Sequence, residues 1–211
     1  MAFRVREEIF ERIKNGLNGI SKTVLEQHWA LYKGYVANSN TLRQEIIDAH
    51  NKGDTTSLTL VDRRRRLGFE LNGFVLHELY FSNLRNNAGS ERVSTKFKCA
   101  VESSFGTTFD TWKKAFADAG LTRSVGWVIL YFDPITRTMT NNWIQLHEDG
   151  NVAGWQPLLV MDVWEHAYIL DSGATGRSKY LQAFMANVDW KVVEERWRDA
   201  RDGKTVRRFA V

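Results

Sequence analysis

The stretch DVWEHAY, residues 162–168, sets Asp162 four residues before His166 with Glu165 between them. It continues an apolar run, PLLVM, so an ionised Asp162 there needs a cation or dense hydrogen bonding. Asp162 and His166 could simply bond each other at a strand end. Two further histidines offer more. His28, in LEQHWALY, and His77, in NGFVLHELYF, lie on strongly apolar helical faces, where each imidazole must find partners for both ring nitrogens. Three imidazoles and one carboxylate form a donor set suited to iron, manganese, zinc or copper, and the absence of thiolates argues against an iron–sulfur cluster. Four protein ligands with room for a solvent molecule would make an open, catalytic site. His50, in IIDAHNKGD, falls near a polar helix end and reads as solvent-facing.

Helices and strands must both contribute to such a site. Helical spacing runs through VREEIFERI, SKTVLEQHWALYKGYVANSNTLRQEII and FELNGFVLHELYFSNL, and again through RVSTKFKCAVESSFGTTFDTWKKAFADAG. VGWVILYFD, TMTNNWIQLHE and WQPLLVMDV are short β-branched and aromatic runs, bounded by the turn signals DPIT and EDGN. Helix returns in SKYLQAFMANV and DWKVVEERWRDARDG. The expected fold is α+β: an N-terminal helical hairpin over 1–89, then an α/β domain over 90–211 with a three-stranded antiparallel sheet flanked by helices.

The chain has 211 residues, 43% of them hydrophobic, enough to fill a real core, and its net charge of +4 is small for a dedicated nucleic-acid binder. The run DRRRR at 62–66 lacks interleaved aromatics and reads as a solvated helix start or interhelical loop, so nucleic acid is not expected as the main partner. The basic tail from Arg196 onward reads as an exposed helix with a frayed end. The opening residues mix charge into their apolar positions, which predicts no membrane span and a cytoplasmic location. A single cysteine, Cys99, agrees with a reducing compartment and reads as a small buried hydrophobe.

In order and approximate spacing, LEQHW…YV…N, LNGFVLHELYFSNL, FGTTFDTWKKAF…VGW, PLLVMDVWEHAYILD and YLQAFMANVDWKVVEERW resemble the iron/manganese superoxide dismutases. The resemblance covers roughly residues 20–198. It implies one iron or manganese ion per subunit, held by His28, His77, Asp162 and His166, and a ping-pong redox cycle that converts superoxide to dioxygen and hydrogen peroxide. Glu165 would reach across a homodimer, or within a tetramer, to a ligand histidine of the other subunit. Tyr35 would be the gateway tyrosine. Trp127, Trp164, Phe81 and Tyr80 would form an aromatic wall, and Arg177 a fixed cation beside the substrate funnel.

Several positions depart from that family's pattern. Gly73 stands where one branch has a glutamine that bonds the metal's solvent ligand, so His147 or Gln145 must replace it, with His147 favoured as a ring reaching into the space left by Gly73. His28 to Tyr35 spans seven residues, one fewer than usual, a difference that exchange of a π-bulge for regular helix can absorb. Tyr32 and Ile169 stand where the family has a polar pair across the subunit boundary, which predicts an altered outer gate. A metal-holding relative with reduced or lost turnover is therefore the alternative to an active enzyme.

Overall fold

The computed structural model describes residues 2–204. After a short helix α1 (Glu7–Glu11), two long helices α2 (Lys22–Asn51) and α3 (Leu58–Ser82) form the expected hairpin. Each starts at a serine whose hydroxyl accepts an orphan backbone N–H: Ser21 from Val24 and Ser57 from Leu60, both at 3.2 Å. Cross-helix pairs near the base of the hairpin join late α2 to early α3, Glu45 to Arg63 and His50 to Arg64, while Asn38, earlier on α2, meets Glu70, later on α3, so the helices are antiparallel. DRRRR occupies the first turns of α3. Arg63 meets Glu45 at 2.8 Å, Arg64 meets exposed His50 at 2.8 Å, Arg65 meets Asp62 at 3.3 Å and Arg66 meets Glu70 at 3.2 Å. Each cation thus has a local partner, as a solvated helix start requires.

The second helical stretch differs from its expected continuity. It divides into α4 (Thr95–Phe105) and α5 (Phe109–Ala119), because Gly106 takes a left-handed φ of 64° and Thr108 caps the new helix. Cys99 corrects another expectation: it is exposed. Phe97 and Val101 carry the buried face of α4, and Cys99 lies between them on the opposite side of the turn.

Strands β1 (Gly126–Phe132), β2 (Met139–Gln145) and β3 (Gln156–Asp162) make one antiparallel sheet in the order β2-β1-β3. β1 is buried along its whole length, and the register sets Trp127 opposite Ile144 on one side and Asp162 on the other. Directly paired residues share a face, so Trp127 and Asp162 project together. A 3₁₀ turn (Glu165–Ala167), α6 (Ile169–Ser172), α7 (Arg177–Ala186) and α8 (Trp190–Arg201) complete the described chain. Among the described residues no helix is long and apolar enough to cross a membrane.

α8 is not the exposed helix expected from its charges. Val192, Val193, Arg196, Trp197 and Ala200 are buried, while the tail beyond residue 204 lies outside the described residues. Arg196 is 1% exposed and donates to Asn83 Oδ1 (2.6 Å), Ser82 Oγ (2.6 Å), Leu158 O (3.0 Å) and Leu79 O (3.2 Å). Burial pulls its pKa down to about 9, which leaves it charged at neutral pH. A cation at the carbonyl-rich end of α3 also complements the helix dipole. Asn83 in turn donates to Val160 O at 2.6 Å, joining α3 to β3. Asn187 makes a similar hub, accepting from the Asn18 and Asn87 N–H groups and donating to Asn18 O and Ala183 O.

Replacing Arg196 with methionine keeps the stem and strands the acceptors it served. Urea unfolding should then show a loss of about 3 kcal/mol, the scale for breaking a buried charge network. A loss below about 1 kcal/mol, the size of one ordinary hydrogen bond, would contradict this account of the α3–α8 junction.

Candidate metal centre

α2 supplies His28, α3 supplies His77, the end of β3 supplies Asp162 and the following 3₁₀ turn supplies His166. Their four candidate ligand atoms lie within 4.8 Å of one another. Asp162 Oδ2 is the common point: His28 Nε2 and His166 Nε2 are each 3.2 Å from it, and His77 Nε2 is 3.9 Å away. His28, His77 and Asp162 are fully buried, and His166 shows a side-chain exposure of 21%.

Hydrogen bonding outside the cluster fixes which atoms face inward. His77 Nδ1 lies 2.6 Å from Gly73 O, which can only accept, so Nδ1 carries the proton and Nε2 presents a lone pair. That buried Nε2 has no hydrogen-bond partner among the described residues. Asp162 Oδ1 accepts the Trp164 N–H at 2.8 Å, and its backbone carbonyl accepts the Tyr180 hydroxyl at 2.7 Å. A lone pair and a carboxylate oxygen therefore face each other with no donor between them.

Burial lowers the pKa of His28 to about 4, against the opposing hydrogen bond that its ring makes to Asp162, and holds His77 well below its ordinary value. For Asp162 burial alone pushes upward, but the charge of His166 and hydrogen bonds with His166 and His28 outweigh it, so the group stays ionised. Neutral imidazoles of His28 and His77 beside an ionised, buried carboxylate fit a multivalent cation of the iron, manganese or zinc kind.

A second layer is built on His147. Leu146, just before it, adopts a left-handed φ of 53°, sparsely populated for a branched side chain. Asn151 braces the same loop, donating to His147 O at 2.8 Å and accepting from the Tyr131 hydroxyl at 2.9 Å. Trp127 Nε1, a donor only, bonds His147 Nδ1 at 3.1 Å. Burial lowers the His147 pKa to about 4, so the ring is neutral and its proton sits on Nε2. Nε2–H then donates to the Tyr35 hydroxyl oxygen at 2.8 Å, leaving the Tyr35 proton available for another acceptor. Burial, then the charge of Asp162, raises the Tyr35 pKa, which keeps it a phenol.

Helix α2 is regular throughout, and residues seven apart share its face. Tyr35 therefore lies against the cluster, its ring 5.0 Å from that of His77. One expectation is corrected. The space left by Gly73 is filled by the Tyr35 ring rather than by His147, since a Cβ at Gly73 would stand 2.6 Å from Tyr35 Cδ1. Gln145 is exposed at the end of β2, while His147 meets Tyr35.

The aromatic residues surround the cluster: Phe81 and Tyr80 at 4.8 and 5.0 Å from the His28 ring, Trp127 at 5.1 Å from His77 and Trp164 at 5.8 Å from His166. Phe69, which the sequence reading overlooked, packs 4.5 Å from His147. Tyr131 and Asn151 were equally invisible, since EDGN signals a turn without saying what the turn holds. Arg177 is tied down, donating to Tyr168 Oη, Thr122 O and Ser124 O. Tyr32 is buried and bonded to Glu78, and Ile169 is 38% exposed.

Residues 93–196 match the family model for the C-terminal domain of iron/manganese superoxide dismutases. An iron superoxide dismutase of Aquifex pyrophilus is 34% identical over 189 residues, 87% of each chain. One of Cupriavidus metallidurans, also named for iron, is 30% identical over 187 residues, covering 87% of this chain and 91% of its own. A manganese superoxide dismutase of Halobacterium salinarum is 29% identical over 186 residues, 87% of this chain and 89% of its own. With its His28–His77–Asp162–His166 cluster and this coverage, the chain belongs to the iron/manganese superoxide dismutase family.

Proposed function

We propose that the protein is a superoxide dismutase that holds one iron or manganese ion per subunit through His28, His77, Asp162 and His166. The observation that carries this reading is the convergence of three imidazole Nε2 atoms on one buried, ionised carboxylate oxygen. When bound, the ion supplies one-electron chemistry by alternating between trivalent and divalent states, so that one superoxide leaves as dioxygen and a second, with two protons, as hydrogen peroxide.

The chain's own residues manage protons and water. Trp127 fixes the His147 tautomer, and His147 in turn fixes Tyr35 as an acceptor on one side and a donor on the other. Tyr35 can thus hand its hydroxyl proton to reduced substrate while His147 holds the hydroxyl oxygen. The rings of Trp127, Trp164, Phe81 and Tyr80 limit bulk water, which strengthens each interaction inside. Arg177, in this reading, acts through the fixed loop it holds and adds positive potential for an anion.

Glu165 supports a dimer. It is exposed, and among the described residues its carboxylate meets no partner and His166 makes a hydrogen bond only through Nε2. A carboxylate from a second subunit would bond the other ring nitrogen and orient the imidazole.

Purified protein should contain about one iron or manganese per chain and consume superoxide well above the rate of the free aquo-ion. Asp162→Ala should lose both, and metal-replete protein without activity would favour the metal-holding alternative. Tyr35→Phe should keep its metal yet lose roughly a hundredfold in turnover, the lower end for removal of a positioned proton donor. Gly73→Ala should reproduce that loss by displacing the ring; full activity in either variant would refute the proton role. Glu165→Ala should weaken the dimer and metal retention together, as read by sedimentation and metal analysis, and an intact dimer with full metal would remove Glu165 from the interface.

A further inference from the structure

One turn beyond His28 and one residue beyond His77 lies a polar contact that the chemistry above does not use. Tyr32, fully buried on α2, donates its hydroxyl to Glu78 Oε1 on α3 at 2.9 Å, and Glu78 is itself 1% exposed. The Tyr32 oxygen also accepts the Arg6 backbone N–H at 3.1 Å. Burial first, then the charge of Glu78, raises the Tyr32 pKa far above its ordinary value, so the phenol remains a donor.

Residues 3–6 follow the same helical seam. Asn40 accepts the Phe3 N–H at 2.8 Å and donates to Phe3 O at 2.9 Å, while the Phe3 ring packs 4.8 Å from Phe74. Trp29 packs on both Tyr32, at 4.6 Å, and Phe81, at 5.1 Å, so apolar rings enclose the contact. A hydrogen bond in such surroundings fixes distance and direction more narrowly than apolar packing, because breaking it leaves buried polar atoms unsatisfied.

We propose that Tyr32 is a positioning residue that, through Glu78, cross-links α2 and α3 beside His28 and His77 and so sets the spacing of two metal ligands, with residues 3–6 closing over it as a strap. The inference rests on the metal-holding role of those histidines. A second bond between the same helices, Asn38 Nδ2 to Glu70 Oε2 at 3.2 Å, lies about two to three turns from either histidine and serves as the control.

The test is the rate at which metal passes from loaded protein to an excess of chelator, in iron and in manganese form, at a temperature where circular dichroism shows every variant folded. Tyr32→Phe should release metal roughly tenfold faster, the scale for losing a group that orients a ligand. Glu78→Gln, which keeps an acceptor oxygen, should be affected less, and Asn38→Ala should stay close to the parent rate even where its thermal stability falls. Equal acceleration by Tyr32→Phe and Asn38→Ala would mean a merely structural bond and would overturn the assignment, as would an unchanged rate in Tyr32→Phe. If Tyr32→Phe does not fold, Glu78→Gln decides: faster release at unchanged melting temperature supports the assignment, and the parent rate overturns it. A parent protein that takes up neither metal is a separate failure, of the metal-holding reading itself.

Discussion

A carboxylate sealed from water among three imidazoles dictates much of this architecture. Asp162 has no exposure, and an ion of its size removed from water loses several kcal/mol even after the protein relaxes. Hydrogen bonds from Trp164 N–H and the imidazoles offset part of that cost, but His77 offers a lone pair rather than a donor, because Gly73 O claims its only proton. The cluster is balanced only around positive charge. Its supports come from every layer of the fold: two helices of the hairpin, the last residue of an edge strand and the turn that follows.

Directionality propagates outward from the same principle. An indole can only donate and a backbone carbonyl can only accept, so Trp127 and Gly73 each dictate the proton position on a histidine they touch. From Trp127 the sequence of donors runs to His147 and then to Tyr35, and no group along it is free to reverse. Neutral rings are needed for this order to hold, and burial supplies them. The strained backbone at Leu146 is the local cost of aiming His147 into the site, and Asn151 and Tyr131 hold the loop against relaxing.

What could be read in advance was set by periodicity and by rarity. Apolar spacing of 3.6 or 2 exposes helices and strands directly, and histidines are few enough that two on apolar helical faces stand out beside DVWEHAY. Charge was a poorer guide. RWRDAR looks solvated, yet Arg196 is buried because three acceptors at the end of α3 and one on β3 meet it there, and those acceptors are contributed by residues far away in sequence. Cys99 failed for the opposite reason, since residue type suggested burial while its place on the helix turned it outward. Contacts that depend on shape, such as Phe69 against His147, have no local signature at all.

Gly73 shows how a single absent side chain can couple two of these features. Seven residues of regular helix bring Tyr35 back to the face that carries His28, at a cumulative angle close to two full turns. That rotation would drive the ring into α3 if the facing residue bore even a methyl group. The shorter spacing and the glycine are therefore parts of one solution, in which the helix loses a residue, the ring moves inward and the partner helix makes room. His147 does not need to fill the gap; it needs only to meet the hydroxyl that the ring presents. A glutamine side chain rooted at position 73 would have to pass through the Tyr35 ring, and in this chain the bond to that hydroxyl comes from the turn after β2, where His147 stands.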